Sequence, residues 1–124
     1  MYSKPRVLLV DDDPGILETM SDILSLEGHE IDVANSGKEA ARLCAREDYD
    51  FALLDIRMPG MNGVETLRKI KSMNPNMRVV MITGFDVGEL ANQAIAEGAE
   101  AVFRKPLDVA SFLPLLLAST RRRS

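Results

Sequence analysis

Short apolar runs alternate with helix-spaced apolar positions along this chain, five times over. Val7-Leu8-Leu9-Val10 is a continuous apolar run, the pattern of a strand buried on both faces. Asp13-Pro14 follows it. Asp suits a helix N-cap, and Pro suits the first helical position. Ile16, Leu17, Met20, Ile23 and Leu24 then recur at helical spacing, and Gly28 closes the helix. Glu30 to Ala34 alternates polar and apolar, which predicts a second strand near a sheet edge. Ser36-Gly37 opens a helix carrying Ala40, Ala41, Leu43 and Cys44. Phe51-Ala52-Leu53-Leu54 is a third strand, with Asp55 directly at its C-terminal end. Met58 to Gly63 is a loop rich in turn residues: Pro59, Gly60, Asn62 and Gly63. The third helix carries Val64, Leu67 and Ile70 and stops before Pro75. Val79-Val80-Met81-Ile82 is a fourth strand, closed by Thr83-Gly84, and a helix with Leu90, Ala94 and Ile95 runs to Gly98. Ala101-Val102-Phe103 is the fifth strand, ending in Arg104-Lys105-Pro106. The last helix starts near Asp108 and carries Phe112, Leu113, Leu116 and Leu117. Pro114 predicts a bend or an irregular first turn there, because proline removes a backbone donor.

Five strand–helix repeats predict an α/β fold: a parallel sheet with helices on both faces and right-handed crossovers. The 124 residues suit one domain, read here as residues 1–120 with a basic tail or linker start at 121–124. A net charge of −4 argues against direct nucleic-acid binding; Arg121-Arg122-Arg123 is the one local exception. The single cysteine, Cys44, allows no internal disulfide and reads as a small core residue. The single histidine, His29, lies between Gly28 and Glu30 and reads as a surface turn residue. No apolar run is long enough to span a bilayer, and no signal-peptide core is present, so a cytoplasmic place without membrane contact is expected.

In an open parallel sheet, ligands bind outside the C-terminal ends of the strands. Those ends carry Asp11-Asp12-Asp13, Asp55, Thr83 and Lys105, while the second strand offers only Asn35-Ser36. Clustered carboxylates repel one another unless a cation joins them. Mg²⁺, a hard cation that takes oxygen ligands, suits such a cluster. Metal, ammonium and hydroxyl together form the set that stabilises a phosphoryl group in transfer. A carboxylate can itself be the nucleophile and form an aspartyl phosphate. Asp55 is the best candidate, because an all-apolar strand holds its backbone, and Asp11 and Asp12 would hold the metal opposite it.

At these residues the sequence resembles the receiver domains of two-component response regulators. The carrying motifs are Val7 to Asp13, Leu54 to Gly63, Ile82-Thr83-Gly84 and Lys105-Pro106, in this order and each at a strand end. The resemblance covers nearly the whole chain. It implies a flavodoxin-like (βα)5 fold, a five-stranded parallel sheet of order 2-1-3-4-5. It implies Asp55 as phosphoacceptor, Asp12 as a direct Mg²⁺ ligand with Asp11 beside it, and the Arg57 backbone carbonyl as a further ligand. Thr83 matches the switch hydroxyl and Lys105 the lysine that contacts the phosphoryl group. The Lys105-Pro106 bond is commonly cis in this family. The implied partners are a sensor histidine kinase or phosphotransfer protein and a downstream effector, with a homodimer through the last two helices and the fifth strand. Arg57 and Phe85 match positions flanking the route of attacking water, and their bulk implies a long-lived phosphorylated state. One position departs from the pattern. Many receivers carry Tyr or Phe three residues before the lysine, where this chain has Val102; Phe103, next to it, should point to the other face.

Three other readings compete. A haloacid-dehalogenase-like phosphatase would use the Asp11–Asp13 spacing, but Pro14 then fits poorly and Asp55 has no role. A pseudo-receiver would bind partners without phosphorylation, against the complete residue set. A flavin binder lacks its Ser/Thr-rich phosphate loop. The chain reads equally as a free-standing receiver or as one unit of a longer regulator, and the output is not legible.

Overall fold

The computed structural model describes residues 2–3, 5–58, 60, 62–84, 88–105, 114 and 121–122. Its elements are β1 (Tyr2–Ser3), β2 (Arg6–Val10), α1 (Pro14–Leu26), β3 (Glu30–Ala34), α2 (Gly37–Cys44) and β4 (Phe51–Asp55), then α3 (Gly63–Met73), β5 (Arg78–Thr83), α4 (Gly88–Ala96), β6 (Ala101–Arg104) and β7 (Arg121–Arg122). Five strands form one parallel sheet in the order β3-β2-β4-β5-β6. Counting from β2, that is the expected 2-1-3-4-5. The expectations for Phe85, for the Lys105-Pro106 bond and for the helix from Asp108 with its bend at Pro114 fall on residues outside the described set.

Burial follows the apolar pattern. Val7 to Val10 and Phe51 to Leu54 are buried throughout, as strands covered on both faces must be. Alternation then sorts their side chains into two cores. Leu8, Val10, Ala52, Leu54, Val79 and Met81 pack with residues of α2, α3 and α4. Val7, Leu9, Phe51, Leu53, Val80 and Ile82 pack with Leu17, Met20 and Leu24 of α1. Val102 joins the first core and Phe103 the second, so the two do face opposite ways. Cys44 is buried in the first core, and burial pushes its thiol up to about 11, which removes it as a nucleophile at neutral pH.

The helix starts are as the sequence predicts. Asp13 Oδ1 accepts the amides of Gly15 and Ile16, and Ser36 Oγ accepts that of Glu39. Two expectations fail. His29 is only 5% exposed. The reason is the helix end before it: Gly28 takes φ 87°, Gly28 N–H donates to Ser25 O, and His29 N–H donates to Leu24 O. This end motif turns the second residue after the cap back toward the helix, so His29 goes under the fold rather than out. Ile95 is 49% exposed, since α4 buries only Ala94 of its apolar residues.

Two features had no sequence signal. Arg121–Arg122, at the segment expected to be a tail, pairs antiparallel with Tyr2–Ser3. At the opposite end of the sheet from the acidic strand ends, Arg6 gathers Glu30 at 3.1 Å and Glu47 at 2.8 Å, and its guanidinium stands 5.6 Å from the Tyr49 ring centre.

Candidate functional site

Asp11 directly follows β2 and is 2% exposed; Asp55 ends the neighbouring β4 and is 4% exposed. Both are fixed by backbone. Asp11 N–H donates to Ala34 O at 3.2 Å, and Asp13 N–H donates to Asp11 Oδ1 at 3.0 Å. Arg57 N–H donates to Asp55 Oδ1 at 3.3 Å, and Ile56 N–H donates to Ile82 O at 2.9 Å. One oxygen each of Asp11, Asp12 and Asp55 lies within 4.8 Å of the others. Asp12 is the exposed member. Asp13 stands apart, its Oδ1 spent on capping α1.

Lys105 arrives from the end of β6. Its amide donates to Thr83 O at 2.7 Å, which brings the two strand ends together. Its Nζ lies 3.2 Å from Asp55 Oδ2 and 3.0 Å from Asp11 Oδ2. Thr83 is 4% exposed at the end of β5. All the predicted site residues therefore lie at the C-terminal edge of the sheet. Arg57 is present through its backbone, and its side chain is exposed.

The electrostatics follow from burial. Burial and the charge of Asp11 push the Asp55 carboxyl up to about 6, against the opposing pull of Lys105 and the Arg57 amide. For Lys105, burial lowers the ammonium, but Asp11 and Asp55 outweigh it and the net shift is upward. The three carboxylates thus have one ammonium among them, paired with Asp11 and Asp55. That excess of negative charge, on hard oxygen donors within reach of one another, fits a divalent cation.

A pH effect follows for the metal-free protein. The unfolded Asp55 releases its proton near 4 and the folded one near 6. Between these values the folded chain holds the proton more tightly, so this group favours folding at the acid end, and stability is lost as pH rises through 6. The loss is on the order of 3 kcal/mol. In chelator, Asp55→Asn should outlast wild type in urea at pH 7.5, and its advantage should shrink away near pH 4. A difference independent of pH would contradict the burial argument.

The profile of the response regulator receiver domain matches residues 7–116. This chain belongs to the response regulator receiver family. A receiver domain is a signalling switch, and this one carries the acidic metal-binding pocket of its family. The chain is 34% identical over 111 residues to response regulator protein FleR of Pseudomonas aeruginosa, covering 90% of this chain and 24% of that protein. It is 32% identical over 104 residues to sporulation initiation phosphotransferase F of Bacillus subtilis, covering 84% of each. The chain spans about a quarter of the length of the first curated relatives it matches. Among solved structures, a CheY-like receiver domain protein from Methanospirillum hungatei superposes with a TM-score of 0.87 at 34% identity, over 92% of this receiver and 91% of that chain. A response regulator from Burkholderia pseudomallei, solved with a phosphorylated aspartic acid, a calcium ion and citrate, gives 0.85 at 26% identity, over 92% of this receiver and 66% of that chain.

Sequence reasoning named every residue of this cluster but did not see the Lys105–Asp11 contact. Nothing in the chain signals it, because the partners are set by the sheet and not by spacing. Gly63 was taken only as a turn residue, and its tight approach to Asp55 was missed.

Proposed function

We propose that Asp55 is the phosphoacceptor of this receiver. The observation that carries the reading is the Lys105 ammonium between two buried carboxylates, 3.2 Å from Asp55 and 3.0 Å from Asp11. An Asp55 oxygen attacks phosphorus, the new O–P bond forms, and the bond from phosphorus to the donor breaks. Lys105 Nζ is then placed to pair with a phosphoryl oxygen, and the Thr83 hydroxyl to donate to another as the switch. Asp11, Asp12, Asp55 and the Arg57 carbonyl would hold Mg²⁺, which supplies charge neutralisation for the phosphoryl oxygens. The phosphatase alternative is disfavoured, since Asp13 caps α1 instead of facing Asp11 across a site.

The donor is a sensor histidine kinase or a phosphotransfer protein, and the receiver answers by a changed surface toward an effector domain or protein. A homodimer through the last two helices and the fifth strand is part of the same reading, as is a cytoplasmic place. Among the described residues, no helix is long and apolar enough to cross a membrane. Val102 is half-buried where many family members have an aromatic ring, so an inward-moving ring at that position is not available to the switch.

Incubation with Mg²⁺ and acetyl phosphate should add one phosphoryl mass to the intact protein, and chelator should abolish the gain. A repeat fed by a phosphorylated histidine kinase covers the case of a receiver that refuses small donors. No gain from either source would sink the reading and leave a binding-only receiver.

A further inference from the structure

The loop after β4 and the first turn of α3 carry two glycines of different kinds. Gly60 has φ +74°, and a Cβ there would meet nothing within 4 Å. It is needed for its backbone angle alone. Gly63, the first residue of α3, lies outside the left-handed region. A Cβ at Gly63 would be driven against the Asp55 carbonyl oxygen and would stand 2.6 Å from Ile56 Cα and 3.0 Å from the Asp55 carbonyl carbon. These are backbone atoms and cannot rotate away.

Neither side can yield cheaply. The strand side is held by β5: Asp55 is in register with Ile82, and Ile56 N–H donates to Ile82 O at 2.9 Å. The helix side is held by the core, where Val64, Leu67 and Ile70 are at most 2% exposed. Gly63 N–H itself donates to Ile56 O at 2.7 Å, tying the start of α3 to the residue after Asp55. The strain of an added methyl would therefore fall on the short loop between them. That loop carries Arg57, whose amide is bonded to the Asp55 carboxylate.

We propose that Gly63 is a positioning residue for the phosphorylation site: its bare Cα lets α3 rest on the Asp55–Ile56 peptide and so sets where the Asp55 carboxylate and the Arg57 carbonyl stand relative to Asp11 and Asp12. The inference rests on the reading of Asp55 as phosphoacceptor. It differs from a purely structural role in its readout, because a lower stability alone does not change metal affinity in the molecules that remain folded.

The test is titration calorimetry with Mg²⁺ at low temperature on wild type, Gly63→Ala and Leu24→Ala. Leu24 is fully buried in α1, on the other face of the sheet, and its truncation lowers stability without touching the site. Gly63→Ala should melt about 10 °C lower and bind Mg²⁺ about tenfold more weakly. Leu24→Ala should lose comparable stability and keep wild-type affinity. Wild-type affinity in folded Gly63→Ala overturns the proposal. So does an equal weakening in Leu24→Ala. Should Gly63→Ala not fold, Asn62→Ala carries the test. It removes the cap that holds the same helix end, where Asn62 Oδ1 accepts Glu65 N–H, and adds no atom. A weakening of about threefold is expected there, by the same support of the ligand set, and none would overturn the proposal. Absence of Mg²⁺ binding and phosphoryl gain in wild type would instead defeat the reading of the site itself, and with it this one.

Discussion

Asp55→Asn should gain no phosphoryl mass from any donor while remaining folded. Asn is nearly the same shape, so the packing beneath β4 is kept, and the change removes the oxygen nucleophile. The amide also cannot place a full charge near Lys105, and the ion pair at 3.2 Å is lost. The loss should be complete and not graded, since Asp11 and Asp13 are committed elsewhere and Asp12 is exposed, without the buried strand-end setting of Asp55. Asp13 caps α1, and Asp11 is tied by the Asp13 amide and Lys105. Intact-mass measurement after acetyl phosphate treatment, followed by peptide mapping, checks this. Phosphoryl gain surviving in Asp55→Asn would mean that another group is the acceptor.

The second large effect belongs to Lys105→Met. Removing the ammonium leaves Asp11 and Asp55, both almost fully buried, without their shared cation. Breaking one partner of a buried pair costs more than the pair contributes, because an uncompensated charge remains. Lys105 is 22% exposed, so water screens part of this, and a loss of about 1–3 kcal/mol in chelator is expected. The Asp55 carboxyl should move further up from its value of about 6, because Lys105 is the main group opposing burial and Asp11. Adding Asp55→Asn should return much of the stability, a coupling that a double-mutant cycle reads directly. Phosphorylation should slow by about a hundredfold, the usual consequence of removing one electrostatic contact to a transferring group. Additive effects of the two substitutions would show that Lys105 and Asp55 do not share a charge balance.

Much of this architecture is legible in the chain because its signals are local. The all-apolar run Val7 to Val10 and its partner Phe51 to Leu54 announce strands covered on both faces. The polar–apolar alternation of Glu30 to Ala34 announces the edge, and β3 is indeed at one. Asp13 and Ser36 announce helix starts, and both cap as expected. Once these elements are in order, Asp11, Asp55, Thr83 and Lys105 must fall at strand ends on one edge of a parallel sheet. The misses share a cause. His29 looked like a surface residue because its neighbours are Gly28 and Glu30. Its burial depends on how the left-handed Gly28 folds the chain back. Ile95 sits at helical spacing but meets no core, because α4 buries little beyond Ala94. Gly63 looked like one more turn residue, while its reason lies in backbone atoms seven and eight residues earlier.

The sequence by itself determined the order of strands and helices, the chemistry at each strand end and the family to which these belong. Periodicity, capping and turn preference act over a few residues and are written in consecutive letters. Only the tertiary structure decided that one ammonium serves both Asp11 and Asp55, that their crowding holds a carboxyl near 6, and that α3 touches the Asp55 peptide through Gly63. These depend on which strands are neighbours and on the water excluded between them. Strand register and low dielectric join residues up to 94 positions apart, and spacing along the chain does not encode that.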